Sequence, residues 1–405
     1  MFKELKLIKL LVFTGLLFAI ISKMDFNDFL VSELYTDKTS YYPGEIVRIY
    51  ASTNFLTTYS TEIEITDFNK EIVSNFSTKI KNQPLSSKNM LSEGLALKDY
   101  VEYKIPDNFQ SGVYLINGRF PLVVKLKTKP DITIVYPYAN NVLYHSMNLK
   151  TVFSENLKMA SLLRTTPIDK YTEGMGSFFE ELKANYKTNF ISDVDLENKI
   201  DTRLVIIYGK SSCWTPKMKS SLESFIEKGG NVLLITSYTL NNICWYDSEQ
   251  QEIRMYEDSS IAMKSWYNYD SLNYYNPVGV SYTFGGYSLI DDYNVLDKKH
   301  PILKGINDSV IQFNGGLYSS PKVIWEGEYP SIKSIDLYKA EIVAYNRAAY
   351  HEDDEGIKGI FVLQRDSSSG KIVSLGTEDW CLKENFAANS NIQLITRNAV
   401  SYLLR

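Results

Sequence analysis

Three hydrophobic patterns follow one another along the chain. The first is a continuous run. Lys3, Lys6 and Lys9 precede residues 10–22, 13 positions without a charge. A basic start followed by an apolar stretch is the pattern of an export signal. Such lysines stay inside while the bulk of the chain is translocated. At 1.5 Å per residue the run spans about 20 Å, short of the roughly 30 Å hydrocarbon core. That length fits a cleaved signal peptide. Counted from Leu5, with two lysines that snorkel to the interface, it fits a signal anchor instead. Ile20-Ile21-Ser22 is a poor A-x-A site, and no Cys follows to make a lipoprotein. Residues 1–23 are therefore read as an N-terminal apolar helix, with signal peptide and signal anchor both open.

The second pattern, from 31 to 128, is alternation. Ile46-Val47-Arg48-Ile49-Tyr50 and Thr61-Glu62-Ile63-Glu64-Ile65 are β-branched and partly alternating. Turns stand at Tyr42-Pro43-Gly44-Glu45 and Ile105-Pro106-Asp107-Asn108-Phe109. About seven short strands with regular turns predict an immunoglobulin-like β-sandwich. Lys127-Thr128-Lys129-Pro130 reads as a linker.

The third pattern, from 129 to 405, alternates strand and helix. A short apolar strand covers 132–136. Met175, Phe178, Phe179, Leu182 and Tyr186 share one face of a helix over 175–186. Residues 204–208 are apolar without alternation, as in a strand buried on both faces. Thr215 and Pro216 open a helix as N-cap and N1. Met218, Leu222, Phe225 and Ile226 form its core stripe, and Gly229-Gly230 ends it. Residues 231–236 are the next buried strand. A strand over 372–375, a loop over 376–380 and a helix over 391–404 repeat the set. This predicts an α/β layered domain. The tyrosine-rich stretch from 240 to 350 inserts in or extends its sheet.

Composition narrows the picture. The length of 405 residues favours two or three domains. A 44% hydrophobic and 22% charged chain is globular rather than disordered. A net charge of −5 without a basic run argues against nucleic acid. The 30 Tyr and 19 Phe suit sheet faces and wet binding surfaces alike. Cys213, Cys244 and Cys381 make no CxxC pair, so no structural zinc site is expected, and any disulfide leaves one thiol over.

Open α/β sheets place their chemistry at the carboxyl ends of the strands. Cys213 follows such an end. Lys210 and the helix start at Thr215 favour its thiolate, and His145 is the candidate base that a nucleophile needs. The plain alternative is a neutral, partly buried Cys. Glu378 and Asp379 stand on another strand-end loop, where they bind a cation, act as an acid/base couple, or merely flank the loop in water. Tyr274, Tyr275, Tyr282, Tyr287, Trp245 and Trp266 either line a glycan or apolar cleft or pack between strands. His351-Glu352-Asp353-Asp354-Glu355-Gly356 is a solvated hairpin tip or a weak Ca²⁺ loop. His300, in His300-Pro301-Ile302-Leu303-Lys304-Gly305, reads as a structural turn.

The stretch from Arg203 to Thr236 resembles the class I glutamine-amidotransferase-like (flavodoxin-like) fold. Further motifs stand in order around it: Lys38-Thr39-Ser40 with Tyr42-Pro43-Gly44-Glu45, the stretch 105–115, Asp193-Val194-Asp195-Leu196, the stretch 279–287, His300–Gly305, Gly376-Thr377-Glu378-Asp379-Trp380 and Ile395-Thr396-Arg397-Asn398-Ala399-Val400. Together, over 33–405, they resemble the large subunit of N,N-dimethylformamidase. That resemblance implies an amide hydrolase whose single iron is held by two Tyr and one Glu, a hard oxygen site that polarises a carbonyl and activates water. The family carries Gly-His-Asp-Glu-Tyr-Trp where this chain has Gly209-Lys210-Ser211-Ser212-Cys213-Trp214. The ligand Tyr falls on Cys213, and Tyr171 is the nearest candidate for the second. Gly315-Gly316-Leu317-Tyr318 stands where the Glu is expected. The resemblance thus implies the fold without the iron ligands, and no cofactor is expected. The expected partners are a membrane through the N-terminal helix and either a glycan or another envelope component, with an oligomer left open. Two functions follow: a C–N hydrolase with an altered centre, and a binding protein outside the cytoplasm.

Overall fold

The structure, a computed structural model, describes residues 31–53, 58–84, 89–145, 157, 159–237, 239–240, 242–255, 277–281, 286–287, 292–312, 315–321, 323–326, 329–332, 339–349 and 355–405. The expected export segment, 1–23, lies outside them. Among the described residues no helix is long and apolar enough to cross a membrane.

Seven strands among the described residues precede Lys125: β1 (Val31–Thr36), β2 (Ile46–Thr53), β3 (Tyr59–Thr66), β4 (Ile72–Ile80), β5 (Tyr100–Lys104), β6 (Gly112–Ile116) and β7 (Phe120–Val124). They form two sheets, β1-β2-β5 and β4-β3-β6-β7. The period-two pattern of β2 sends Val47, Ile49 and Ala51 inward and Arg48 outward. Those inward residues share one core with Ile63, Ile65, Tyr114 and Leu122 of the second sheet. A short helix, α1 (Met90–Glu93), lies between β4 and β5.

The rest of the chain is built around one large sheet. Its elements are, in order, β8 (Ile132–Tyr136), α2 (Tyr138–Tyr144), β9 (Met159–Ser161), α3 (Lys170–Asn185), β10 (Thr188–Ser192), β11 (Leu204–Tyr208), β12 (Cys213–Trp214), α4 (Pro216–Glu227), β13 (Asn231–Ile235), β14 (Asn242–Asp247), β15 (Glu252–Met255), β16 (Gly286–Tyr287), β17 (Asp292–Val295), β18 (Val310–Gln312), β19 (Leu317–Ser320), β20 (Val323–Glu326), β21 (Tyr329–Ile332), β22 (Lys339–Ala349), β23 (Glu355–Gln364), β24 (Lys371–Ser374), α5 (Lys383–Phe386) and α6 (Ser390–Leu403). The strand order is β10-β8-β11-β13-β24-β23-β22-β16-β19. The first five strands are parallel. From β23 onward the pairing is antiparallel. Much of the tyrosine-rich stretch thus extends the sheet.

The parallel strands carry no alternation because both faces are covered. Ile134, Ile206 and Leu233 pack with Phe178 of α3 and Ile395 of α6. Val135, Val205, Ile207 and Leu234 pack with Met218, Leu222 and Phe225 of α4. The result is a sheet-rich chain of mixed α and β structure.

Local chemistry sets the helix ends. Thr215 Oγ1 accepts from Met218 N at 3.1 Å with Pro216 at the first helical position. The third helix starts at Lys170, five positions before the periodicity announces it. Asp169 Oδ1 caps it by accepting from Tyr171 N and Thr172 N, both at 3.0 Å. Gly174 and Gly176 are poor helix formers that obscure this start. Gly174 has a packing reason: a Cβ there would lie 1.9 Å from the carbonyl oxygen of Cys381. The helix therefore presses directly on the loop that follows β24.

Candidate functional site

Chain order along the sheet reverses between β8 and β11, since β10 lies beyond β8 and β13 beyond β11. Open parallel sheets form a crevice at such a switch, outside the carboxyl ends of the strands. Four strand ends meet around it. They carry α2 after β8, the loop 209–214 after β11, Ser237 after β13 and the 3-10 turn Glu378–Cys381 after β24.

Asn140 and Asp193 frame the crevice. The buried Asp193 carboxylate accepts from Ala139 N, Asn140 N and Asn140 Nδ2, each at 3.0 Å. Burial raises its pKa, and these donors oppose that rise. Asn140 Oδ1 in turn accepts from Cys213 N at 2.9 Å and Ser212 Oγ at 3.4 Å. One amide thus pins the loop after β11 to α2. Tyr144, at the last turn of α2, shares a 2.8 Å hydrogen bond with Ser212 Oγ.

Lys210 is half-buried, and its ammonium lies 4.2 Å from the Tyr144 ring centroid. That is a cation–π contact. Burial lowers the Lys210 pKa, while the negative fields of Glu378, Asp169 and Asp379 raise it in part. Tyr171 is buried beside Gly209, and its phenol is pushed well up by burial and then by Glu378 and Asp379. Glu378 is buried and accepts from Ser237 N at 2.9 Å and from Ser237 Oγ. Burial raises the Glu378 pKa; the Ser237 hydroxyl counters and Asp379 adds to the rise. Asp379 is half-buried. Lysine, two phenols and two carboxyl groups therefore share one electrostatic environment at the strand ends.

The structure sorts the residues singled out from sequence. Glu378 and Asp379 stand at this edge with Lys210. Cys213 is buried in β12, whose backbone pairs with β14. Its sulfur stands in hydrogen-bonding relation to the free thiol of Cys244, and this contact together with burial drives the Cys244 pKa up. His145 ends α2, and its pKa is lowered by burial and by Arg164 and Arg119. Among the described residues no hydrogen bond joins Cys213 to His145. All three cysteines are free and buried. His300 Nδ1 accepts from Ile302 N at 3.2 Å, holding a 3-10 turn. Trp245 is 43% exposed on β14. Tyr287 lies on β16. Tyr274, Tyr275, Tyr282 and Trp266 fall outside the described residues, as do residues 351–354 of the acidic run.

The positions where the resemblance expects iron ligands carry the following groups. Cys213 faces Cys244. The stretch 315–318 runs into β19, where the buried Tyr318 ring lies 6.3 Å from the Tyr293 ring and the Lys358 ammonium lies 4.9 Å from the Tyr318 ring centroid. Tyr171 stands with the carboxyl groups at the strand ends. Asn140, Tyr144 and Ser237 escaped sequence reading. Their signal was position: each lies shortly beyond the end of a buried apolar strand.

No family model matches the chain, and no curated protein matches it. Among solved structures it is similar to the mmIFT52 N-terminal domain, at 13% identity and TM-score 0.34, over 68% of this chain and 97% of that one. It is similar to a β-galactosidase from Bacillus circulans sp. alkalophilus, at 13% identity and TM-score 0.30, over 65% of this chain and 30% of that one. It is also similar to a ThuA-like protein from Parabacteroides merdae, at 13% identity and TM-score 0.30, over 67% of this chain and 88% of that one.

Proposed function

We propose that this chain is a divergent relative of the N,N-dimethylformamidase large subunit that acts outside the cytoplasm as a binding protein. In this reading an immunoglobulin-like sandwich over 31–128 precedes a class I glutamine-amidotransferase-like domain over 129–405, and residues 1–23 export the chain or hold it at a membrane. The parallel order β10-β8-β11-β13, covered by helices on both faces, supports the domain assignment.

One observation carries the function: the remodelled loop after β11. It offers a half-buried ammonium, Lys210, over Tyr144, and it turns Cys213 toward Cys244. Lys210 and Asp379 act on one another across the same edge. This pairing suits a small polar ligand that gives a carbonyl or carboxylate oxygen to Lys210 and a donor to Asp379, as an amide or amino acid does. The test is calorimetric titration of the purified chain with small amides and amino acids, alongside metal analysis. Binding that is lost in Lys210→Met supports the reading. Stoichiometric iron with a tyrosinate-to-iron absorption band defeats it.

Glu378 favours a second reading, hydrolysis of a C–N bond. Burial holds its carboxyl toward the protonated form next to Ser237, where it is able to protonate a leaving nitrogen. Amide turnover that disappears in Glu378→Gln decides for hydrolysis. Ligand binding without turnover decides for the binding protein.

A further inference from the structure

A second cleft, of about 300 Å³, opens where the sandwich meets the large sheet. It falls at the small end of ligand sites, which run from roughly 300 to 1,000 Å³. One wall carries Tyr42 and Lys125 of the sandwich side, and the other carries Asn189 of β10, Asp195 and residues 198–201. The frame is held from both sides. Asp195 accepts from Ser40 Oγ at 2.6 Å and from Lys125 Nζ at 3.0 Å, and Lys129 pairs with Asp201 at 2.6 Å. Leu126 N donates to Asn189 Oδ1 at 2.7 Å, tying the two walls again.

Within this frame several groups keep unused capacity. The Tyr42 ring is 39% exposed, and the Lys125 ammonium, 4.6 Å from its centroid, fixes its position. Asn189 uses its Oδ1 twice, whereas its Nδ2 makes no hydrogen bond among the described residues. Asn198 donates through Nδ2 to Asp195 O at 3.2 Å, leaving its Oδ1 open. Lys125 and Lys129 are matched by Asp195 and Asp201, so Lys199 is the surplus charge in the lining.

We propose that this cleft is a saccharide site for a sugar unit bearing a carboxylate. A pyranose has one face of C–H groups and a rim of hydroxyls that both donate and accept. The Tyr42 ring suits the face; Asn189 Nδ2 and Asn198 Oδ1 suit the rim. Lys199 receives the carboxylate. A purely apolar ligand would leave these amides desolvated without partners, which disfavours it. The walls are already ordered by the Asp195 contacts, so a ligand meets a preorganised site. This site is separate from the strand-end site and does not depend on the function proposed for it.

The test is calorimetric titration of the full chain in detergent with tetragalacturonate and with uncharged cellotetraose, at about 0.15 M salt. The expected result is binding of tetragalacturonate in preference to cellotetraose. Tyr42→Ala weakens it by about tenfold or more, while Tyr42→Phe retains it. Lys199→Gln removes the preference for the charged sugar. Lys210→Met leaves the binding unchanged, which separates this cleft from the strand ends. Both Tyr42 and Lys199 are exposed, so their variants keep the fold, and near-ultraviolet circular dichroism verifies it. Failure of the folded chain to bind tetragalacturonate, equal binding of cellotetraose, or binding indifferent to Tyr42→Ala overturns the proposal.

Discussion

The ammonium of Lys210 lies 4.2 Å from the centre of the Tyr144 ring, whose hydroxyl shares a 2.8 Å hydrogen bond with Ser212 Oγ. The contact joins the loop after β11 to the end of α2 and places a cation at the switch in strand order. Its two halves separate by mutation. Tyr144→Phe keeps the ring beneath Lys210 and removes the hydrogen bond to Ser212, whose hydroxyl retains Asn140 Oδ1 at 3.4 Å and Cys213 Sγ at 3.9 Å. The expected loss is about 0.5–1.5 kcal/mol of stability, read from urea denaturation, with ligand binding retained. Lys210→Met is expected to cost less than about 1 kcal/mol of stability and to abolish binding of small amides and amino acids at the strand ends, read by calorimetry.

Glu378 gives a pH signature. Burial raises its folded-state pKa above the ordinary value of 4.5. Above that value the folded state holds a proton that the unfolded chain has lost, so stability falls as pH rises from about 4.5 through the raised pKa. Asp193, raised from 3.8 by burial, acts in the same sense. His145 and His300, both lowered from 6.5 by burial, act oppositely: their neutral folded forms add stability that is lost as pH falls below 6.5. The difference between the stability curves of the native chain and Glu378→Gln isolates the glutamate. That difference is expected to shift in favour of the variant as pH climbs above 4.5. A flat difference between pH 4 and 8 contradicts the raised pKa.

Gly376 positions the loop that carries Glu378. It adopts φ +84°, and a Cβ would come within 2.8 Å of Gly359 O and 2.9 Å of the Tyr293 hydroxyl. Gly376→Ala therefore meets both a left-handed backbone and a filled space. The backbone part costs about 1–3 kcal/mol, and the clash adds to it. Thermal unfolding measures the sum. A midpoint within a degree of the native chain would show the loop to be freer than these contacts allow.

Arg164 is a buried charge with no counter-charge among the described residues. Its side chain is fully buried; one nitrogen donates to Val142 O at the end of α2, and Nε and Nη1 find no acceptor among the described residues. Burial lowers its pKa to about 10. Breaking a buried ion pair costs about 3–5 kcal/mol, whereas an apolar residue of similar volume is often neutral or stabilising. Arg164→Met is accordingly expected to leave stability unchanged or to raise it, by chemical denaturation. A loss of several kcal/mol would reveal a counter-charge.

Much of the local structure was legible from residues alone. Leu204–Tyr208 is an apolar strand without alternation, and Thr215, Pro216 and the stripe Met218, Leu222, Phe225, Ile226 define a helix before any fold is known. These features come from short-range chemistry: capping, fixed φ at proline, and burial patterns with periods of 2 or 3.6. The early start of α3 was hidden, since the two glycines that mask it answer a contact with Cys381 and the Phe68 ring, outside the helix. The site was legible only as positions. Strand ends pointed to Lys210, Cys213, Glu378 and Asp379, but a burial pattern reports that a face is covered without naming what covers it. Only the strand order brings Tyr144 to Ser212 across 68 residues and Ser237 to Glu378 across 141. The same packing turns Cys213 toward Cys244 and leaves Lys210 at the edge. Hydrogen bonds and fields act over a few ångströms of space, whatever the distance along the chain. The sequence by itself therefore determined which elements form and which faces are buried, and the tertiary structure decided which side chains meet.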